Sequence, residues 1–331
     1  MDQHNAVPIL DLAHSRSEGE QRNNLLAQIR DTCENTGFMI IRNHGLSEVL
    51  VENCWKDSVA FFDSPLENRL AARAEVPAHP YCYHPMEAEA LAQSLDEDTP
   101  PDLKETFNIG PIESQRPSSD ESMSAAVKSF VDAQTIWPAK PETFKASLES
   151  YYHELRILAD HVMSLFALSL YLPEDYFSKS FDNPMSAMRV INYPELTRPP
   201  LEGQWRAGAH TDYGTLTLLL QQNDRSGLQV FSRGEWHDVP AIPGTFVVNI
   251  GDLMSRWTNN RWVSTLHRVA TPDMNSGQAS RRQSVVFFHT PNWDSEIRCI
   301  PTCLNEGDEP LYVPVLAGPH LAGKFMKTVQ Y

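Results

Sequence analysis

Followed for the spacing of apolar and polar positions, the chain divides a little past its middle. Before residue 185 the apolar positions recur mostly at helical spacing. Leu25, Leu26, Ile29 and Cys33 mark one face of a segment from Ser17 to Asn35 that stops before Gly37, and VENCWKDSVAFFDS predicts a second helix. The longest such pattern runs from Phe144 to Leu172. Its stripe of Leu148, Tyr152, Leu155, Leu158, Val162, Leu165 and Leu168 predicts a long helix backing the element that follows. Two extended runs, VPILDL and FMIIRNHG, punctuate these helices, the second closed by an Asn-His-Gly turn. Residues 74 to 124 hold neither period, and PAHPYCYHP, DEDTPPD and PIESQRPSSDES predict loop.

From Met185 onward the period drops to two. SAMRVINYP, TLTLLLQ, GLQVF, EWHDVP, TFVVNIGD, STLHRVATP, RQSVVFFHT and IRCIP are short β-type runs separated by turn signals. At least seven strands without intervening helices predict a mainly β protein with flanking helices, its core an antiparallel sandwich or barrel such as a jelly roll. No repeat or linker interrupts the chain. The expected organisation is therefore one domain over 1–331: helices and loops through 184 packed on a jelly-roll core at 185–300, then a C-terminal tail at 301–331.

Charge narrows the partners. With 43 acidic against 27 basic residues the formal net charge is −16, which opposes binding to nucleic-acid backbones or anionic membrane surfaces and leaves a small molecule as the expected partner. The five cysteines are scattered and odd in number, which predicts free thiols in a reducing compartment rather than a disulfide framework. The N-terminus lacks a basic region followed by an apolar run, and no stretch reaches membrane-spanning length, so a cytoplasmic location is expected.

Candidate chemistry begins at GAHTDYGTLTLLLQ. In an extended chain alternate side chains share a face, so His210 and Asp212 point together while Thr211 points away. His267 follows after 54 intervening residues. Two imidazoles and one carboxylate make the facial set of non-haem Fe(II) oxygenases, which leaves coordination positions open. In RRQSVVFF, Arg282 and Ser284 again share one strand face, and a guanidinium fork beside a hydroxyl suits a carboxylate. Tyr193 in RVINYP can add a phenol. Arg189, of the same parity as Tyr193, is a candidate for a substrate carboxylate or for an ion pair. Phe288, of the same parity as Arg282, is a candidate pocket wall or core residue. His44 in the NHG turn reads as structural and Asp252 in NIGD as a turn or capping group.

The order NYP, HTD, NIGD, HRV, R-x-S and FFHTPN resembles the isopenicillin N synthase-like branch of the Fe(II)/2-oxoglutarate-dependent dioxygenases. VPILDL, GFMIIRNHG and PPDLKETFNIGP extend the similarity over nearly the whole chain. The resemblance implies a distorted double-stranded β-helix, with iron bound by His210, Asp212 and His267. It implies that Arg282 and Ser284 hold the distal carboxylate of 2-oxoglutarate with Tyr193 assisting, and that dioxygen is consumed while succinate and carbon dioxide are released. Relatives such as isopenicillin N synthase and aminocyclopropane carboxylate oxidase keep the Arg-x-Ser pair without using 2-oxoglutarate, so an oxidase independent of that cosubstrate is the alternative; a non-catalytic jelly-roll binding protein is a third. Plant members often carry Asn-Tyr-Tyr-Pro where this chain has Ile191, Asn192, Tyr193 and Pro194, and PYCYHP replaces a Gly-Tyr turn. The aromatic density of residues 78 to 108 predicts that this segment folds over the barrel mouth, with Tyr83 forming a substrate wall opposite Phe288.

Overall fold

The computed structural model describes residues 7–328 except 77–78, 96, 98, 113–122, 224, 226 and 273–279. Much of the PIESQRPSSDES loop, and Ala78 at the start of the aromatic segment, therefore lie outside the described residues.

In chain order, β1 (Ile9–Asp11) leads to α1 (Glu20–Asn35), β2 (Phe38–Arg42), α2 (Glu48–Phe62) and the short α3 (Leu66–Leu70). Then come β3 (Tyr83–His84), β4 (Glu105–Ile109), α4 (Ala125–Asp132) and the long α5 (Phe144–Ser169). The second half runs β5 (Ala187–Tyr193), β6 (Ala207–His210), β7 (Leu216–Gln221), β8 (Leu228–Ser232), β9 (Glu235–Asp238) and β10 (Phe246–Ile250). After α6 (Asp252–Trp257) come β11 (His267–Val269), β12 (Arg282–His289), β13 (Glu296–Ile297), β14 (Val315–Leu316) and α7 (Ala317–Thr328).

Among the described residues, eight strands form one sheet in the order β1-β2-β10-β7-β12-β5-β4-β3, and a four-stranded sheet β6-β11-β8-β9 faces it. Apart from the parallel β1–β2 pair, neighbours are antiparallel. This is the expected jelly-roll arrangement, with one difference in its bounds. The first four strands of the large sheet come from before residue 184, so the sheet is not confined to 185–300, and 301–331 carries α7 rather than a bare tail.

Period two sorts the large sheet into two faces. Met188, Val190, Leu218, Leu220, Val285 and Phe287 turn outward into the main core under α5, where Leu148, Tyr152, Leu155, Leu158, Val162 and Leu165 are buried. Each such buried leucine contributes about 1.5–3 kcal/mol. The helix stops at Ser169, and Tyr171 adopts a φ of 60° just beyond it. Ile191, Leu219, Val247 and Val286 turn inward and pack against Leu228, Val230 and Val269 of the small sheet, forming a second, inner core. The site occupies the same inner space. No helix among the described residues is long and apolar enough to cross a membrane.

Candidate active site

His210 ends β6 and His267 begins β11, and the two are direct cross-strand partners. Their ring centroids lie 4.3 Å apart. Asp212 follows His210 by two residues and brings Oδ1 to 3.9 Å from His210 Nε2 and 3.6 Å from His267 Nε2. One ligand atom from each lies within 4.8 Å of the others, and among the described residues this is the one such cluster.

Each member is oriented by a second contact. His210 Nδ1 lies 2.8 Å from Gly208 O and His267 Nδ1 lies 3.1 Å from Thr265 O, a geometry in which Nδ1–H donates to the carbonyl and Nε2 presents its lone pair to the cluster. Asp212 Oδ2 accepts from Thr217 Oγ1 and from Asn249 Nδ2, leaving Oδ1 facing the imidazoles. Burial, reinforced by His267, pushes His210 down to about 3, so its ring is neutral and ligand-competent near pH 7. Burial works to raise the Asp212 carboxyl, but the two imidazoles and the Asn249 and Thr217 hydrogen bonds outweigh it and hold it below its ordinary value.

The turn carrying Asp212 is pinned by backbone. Gly251 N donates to Thr215 O at 3.1 Å, Asp252 N to Asp212 O at 2.7 Å and Leu253 N to Gly214 O at 3.0 Å. The start of α6 thus holds the ligand turn through three amides. A Cβ at Gly251 would lie 2.3 Å from Gly214 O, so only glycine permits this approach. Asp252 itself accepts from Ser264 and pairs with Lys324 of α7, away from the ligand cluster. His44 accepts from Leu46 N and packs edge-on against Phe246.

At the other end of the inner face, Arg282 pairs in register with Tyr193 across β12 and β5, and its Cζ lies 5.0 Å from the tyrosine ring centroid. Arg282 is 5% exposed. Its Nη2 donates to Gln221 Oε1 at 3.3 Å, whereas Nε, Nη1 and the neighbouring Ser284 Oγ are buried with no hydrogen-bond partner. Leaving such donors unsatisfied costs about 1–3 kcal/mol each. Unpartnered guanidinium nitrogens beside a free hydroxyl on the same face of β12 suit a carboxylate. Asn192, one residue from Tyr193, faces the opposite side of the sheet, where it bonds Glu105 and Gln283.

A cavity of about 190 Å³ joins these two groups and extends beyond them. Phe288 lies on its wall, as do Tyr81, Phe130, Leu321 and Phe325. One of the expected substrate contacts needs correction. Tyr83 is not on the wall: it is fully buried, packs edge-on against Phe61 of α2 and donates its hydroxyl to Glu105. Arg189 does border the cavity, but its Nη1 and Nη2 are committed to Glu89 at 2.9 and 3.1 Å, so the ion pair is the arrangement found. The segment before β4 contributes Tyr81 and Leu91, and Phe130 of α4 with Leu321 and Phe325 of α7 also line the cavity, a contribution of these two helices that was not expected. Leu321 and Phe325, four residues apart in a stretch otherwise unremarked, were the available signal. Asn249 and Thr217 were also missed, although Asn249 lies in the NIGD run.

Comparison with known proteins fits this geometry. The family model of the 2OG-Fe(II) oxygenase superfamily matches residues 184–291, and that described as non-haem dioxygenase in morphine synthesis N-terminal matches residues 7–139. The 2-oxoglutarate-Fe(II) type oxidoreductase hxnY of Emericella nidulans is 31% identical, the match covering 98% of this chain and 90% of that relative. Validamycin A dioxygenase of Streptomyces hygroscopicus subsp. limoneus is 32% identical over 89% of this chain and 79% of its own length. A full-length Neurospora crassa protein, solved in complex with alpha-KG and thymine, matches with a TM-score of 0.80 at 27% identity, covering 97% of this chain and 96% of that one. Relatedness at this level over almost the entire length makes the chain a member of the 2OG-Fe(II) oxygenase superfamily, a 2-oxoglutarate-dependent oxidoreductase that uses Fe(II), 2-oxoglutarate and dioxygen.

Proposed function

We propose that His210, Asp212 and His267 hold the Fe(II), that Arg282, Ser284 and Tyr193 hold the distal carboxylate of 2-oxoglutarate, and that the cavity beyond them receives a small molecule. The observation that carries the residue roles is the set of unpartnered buried donors on Arg282 and Ser284, in the same cavity as the His-Asp-His cluster. When bound, iron with 2-oxoglutarate and dioxygen supplies the oxidising chemistry, releasing succinate and carbon dioxide as the substrate is hydroxylated, desaturated or closed into a ring.

The chain's own part is placement and dryness. Thr217 and Asn249 occupy Asp212 Oδ2, so the carboxylate offers Oδ1 alone to the cluster. Arg282 Nη1 and the second hydrogen of Nη2 can meet a carboxylate as two parallel donors, and Ser284 adds a third. Apolar side chains from α4, α7 and β12 exclude water from the reacting end. The motif order and the matched N-terminal region support placement in the isopenicillin N synthase-like branch. The sheet shared between the two halves supports a single oxygenase unit over the whole chain. Five free cysteines support the cytoplasm as its location. The test is succinate formation from 2-oxoglutarate in the presence of Fe(II), compared between wild type and Arg282→Leu. Substrate oxidation that proceeds equally well without 2-oxoglutarate overturns the roles given to Arg282 and Ser284.

A further inference from the structure

Resting on that assignment, the cavity also carries information about what it oxidises. Its inner-face residues are ordered along two paired strands. Arg282 is opposite Tyr193, Ser284 opposite Ile191, Val286 opposite Arg189 and Phe288 opposite Ala187. Six residues of strand cover about 20 Å, so the end bearing Phe288 is well removed from the carboxylate fork. Next to that far end runs β4, in register with β5, so that Asn108 is the direct partner of Arg189. Asn108, Glu89 and Arg189 border the cavity beyond the fork, and Lys104, one residue before the Glu105–Asn192 pair, borders it nearer the fork.

The charges in this group cancel. Lys104 Nζ lies 2.5 Å from Asp102 Oδ2 and 3.4 Å from Glu89 Oε2, and Arg189 holds both Glu89 oxygens. Two cations face two carboxylates, all at least largely buried, and neither sign is left over for a charged substrate. An ammonium or carboxylate brought here would be desolvated without a counter-charge or would have to break an existing pair. Among the described residues, two polar atoms on this face of β4 remain unmatched, Thr106 Oγ1 and Asn108 Oδ1, and of the two residues Asn108 borders the cavity. Asn108 is 4% exposed; its Nδ2 donates to Pro80 O at 3.0 Å, which fixes the orientation of the amide, and its Oδ1 has no partner. That oxygen is an acceptor in want of a donor. The surrounding wall is aromatic and aliphatic, from Tyr81, Phe130, Phe288 and Phe325.

We propose that the substrate is an uncharged, largely apolar and flat molecule bearing an N–H or O–H group, such as a lactam or a phenol, and that Asn108 Oδ1 accepts a hydrogen bond from that group. Asn108 is then a specificity-determining residue. It selects for a donor on the substrate, while the self-neutralised Glu89, Lys104, Arg189 and Asp102 select against charge.

Four probes of one size test this: 2-quinolone, N-methyl-2-quinolone, quinoline-2-carboxylate and 2-(aminomethyl)quinoline. Each is titrated calorimetrically into the full chain loaded with Zn(II) and 2-oxoglutarate, a mixture that does not turn over, and 2-oxoglutarate binding is measured separately on the same preparations. The expected result is that 2-quinolone binds about tenfold more tightly than its N-methyl analogue, the scale of one buried hydrogen bond, and more tightly than either charged probe. The preference should vanish in Asn108→Ala, while 2-oxoglutarate affinity stays the same. Equal binding of the two quinolones, no binding of 2-quinolone, tighter binding of a charged probe, or a preference that survives in Asn108→Ala overturns the proposal and leaves the oxygenase assignment standing. If wild type fails to bind 2-oxoglutarate, both fall together.

Discussion

Asn249 of β10 and Thr217 of β7 are direct cross-strand partners, and both donate to the same atom, Oδ2 of Asp212. One rung of the sheet therefore sets the rotation of a carboxylate that sits outside the strand. Asn249→Ala should leave the fold intact while weakening Fe(II) binding by about 10–100-fold, the usual cost of losing an outer hydrogen bond to a ligand. Anaerobic Fe(II) titration of folded protein checks this, and an unchanged affinity would show that Thr217 alone suffices.

Removing any ligand should be more severe. His210→Ala, Asp212→Ala and His267→Ala each break the facial set and are expected to abolish stoichiometric Fe(II) binding and succinate formation. Zinc or nickel should occupy the same site and inhibit, because affinity for these donors does not select iron and neither metal supports the oxidation. Turnover by any of the three variants in iron-depleted buffer contradicts the assignment.

For the cosubstrate, Arg282→Lys keeps the charge and loses the planar fork. Apparent affinity for 2-oxoglutarate should fall by ~1.5–3 kcal/mol, the scale of a hydrogen bond to a charged group. Arg281→Lys is the matched control, since Arg281 points to Asp63 and Asn192 on the opposite side of the sheet. A saturation curve that shifts for Arg281 and not for Arg282 would reverse the two roles.

A core aromatic and a cavity-wall aromatic should separate cleanly. Tyr83→Ala removes a fully buried ring from the core between β3 and α2, and is expected to cost about 3–5 kcal/mol of stability without changing the ratio of product to succinate. Phe325→Ala removes a cavity wall on α7 and should lower that ratio, because water then reaches the oxidising centre, with a smaller change in melting temperature. Thermal denaturation alongside product and succinate quantification distinguishes them.

Gly251→Ala is expected to destabilise the ligand turn although it changes no ligand side chain. Its Cβ has to displace Gly214 O, and the three amides holding residues 212 to 215 shift with it. Loss of Fe(II) affinity accompanied by a lower melting temperature is the expected result of calorimetry with and without metal.

The parts of this architecture legible from sequence were those governed by local period. Residues 282 and 284 share a face in any strand, so their placement needs no knowledge of neighbours, whereas Asp212 lies just past the end of β6 and meets His210 through a turn that the amides of α6 hold. Pairings across the chain were not legible. Arg189 and Glu89 meet from 100 residues apart, and nothing near either one announces the other. Tyr81 and Tyr83 look alike in PYCYHP, yet one borders the cavity and the other is claimed by Phe61 of a distant helix. The short strands β3 and β4 escaped notice because two to five residues among prolines carry little periodic signal, and their pairing with β5 is what makes them strands. The helix α7 was passed over for a similar reason, since its value lies in what Leu321 and Phe325 cover.

The membership of β4 in the large sheet bears on how members of this family can be recombined. A chimera that grafts residues 185–300 of one relative onto the first part of another would inherit both the ligand cluster and the carboxylate fork from a single parent. Lys104 and Asn108, at either end of β4, would arrive from the other parent. On the proposed roles, the Asn108 acceptor and the carboxylate fork lie on separate stretches of the chain, and a crossover placed between β4 and β5 would reassort those two in one step while Arg189 and Phe288 travel with the fork.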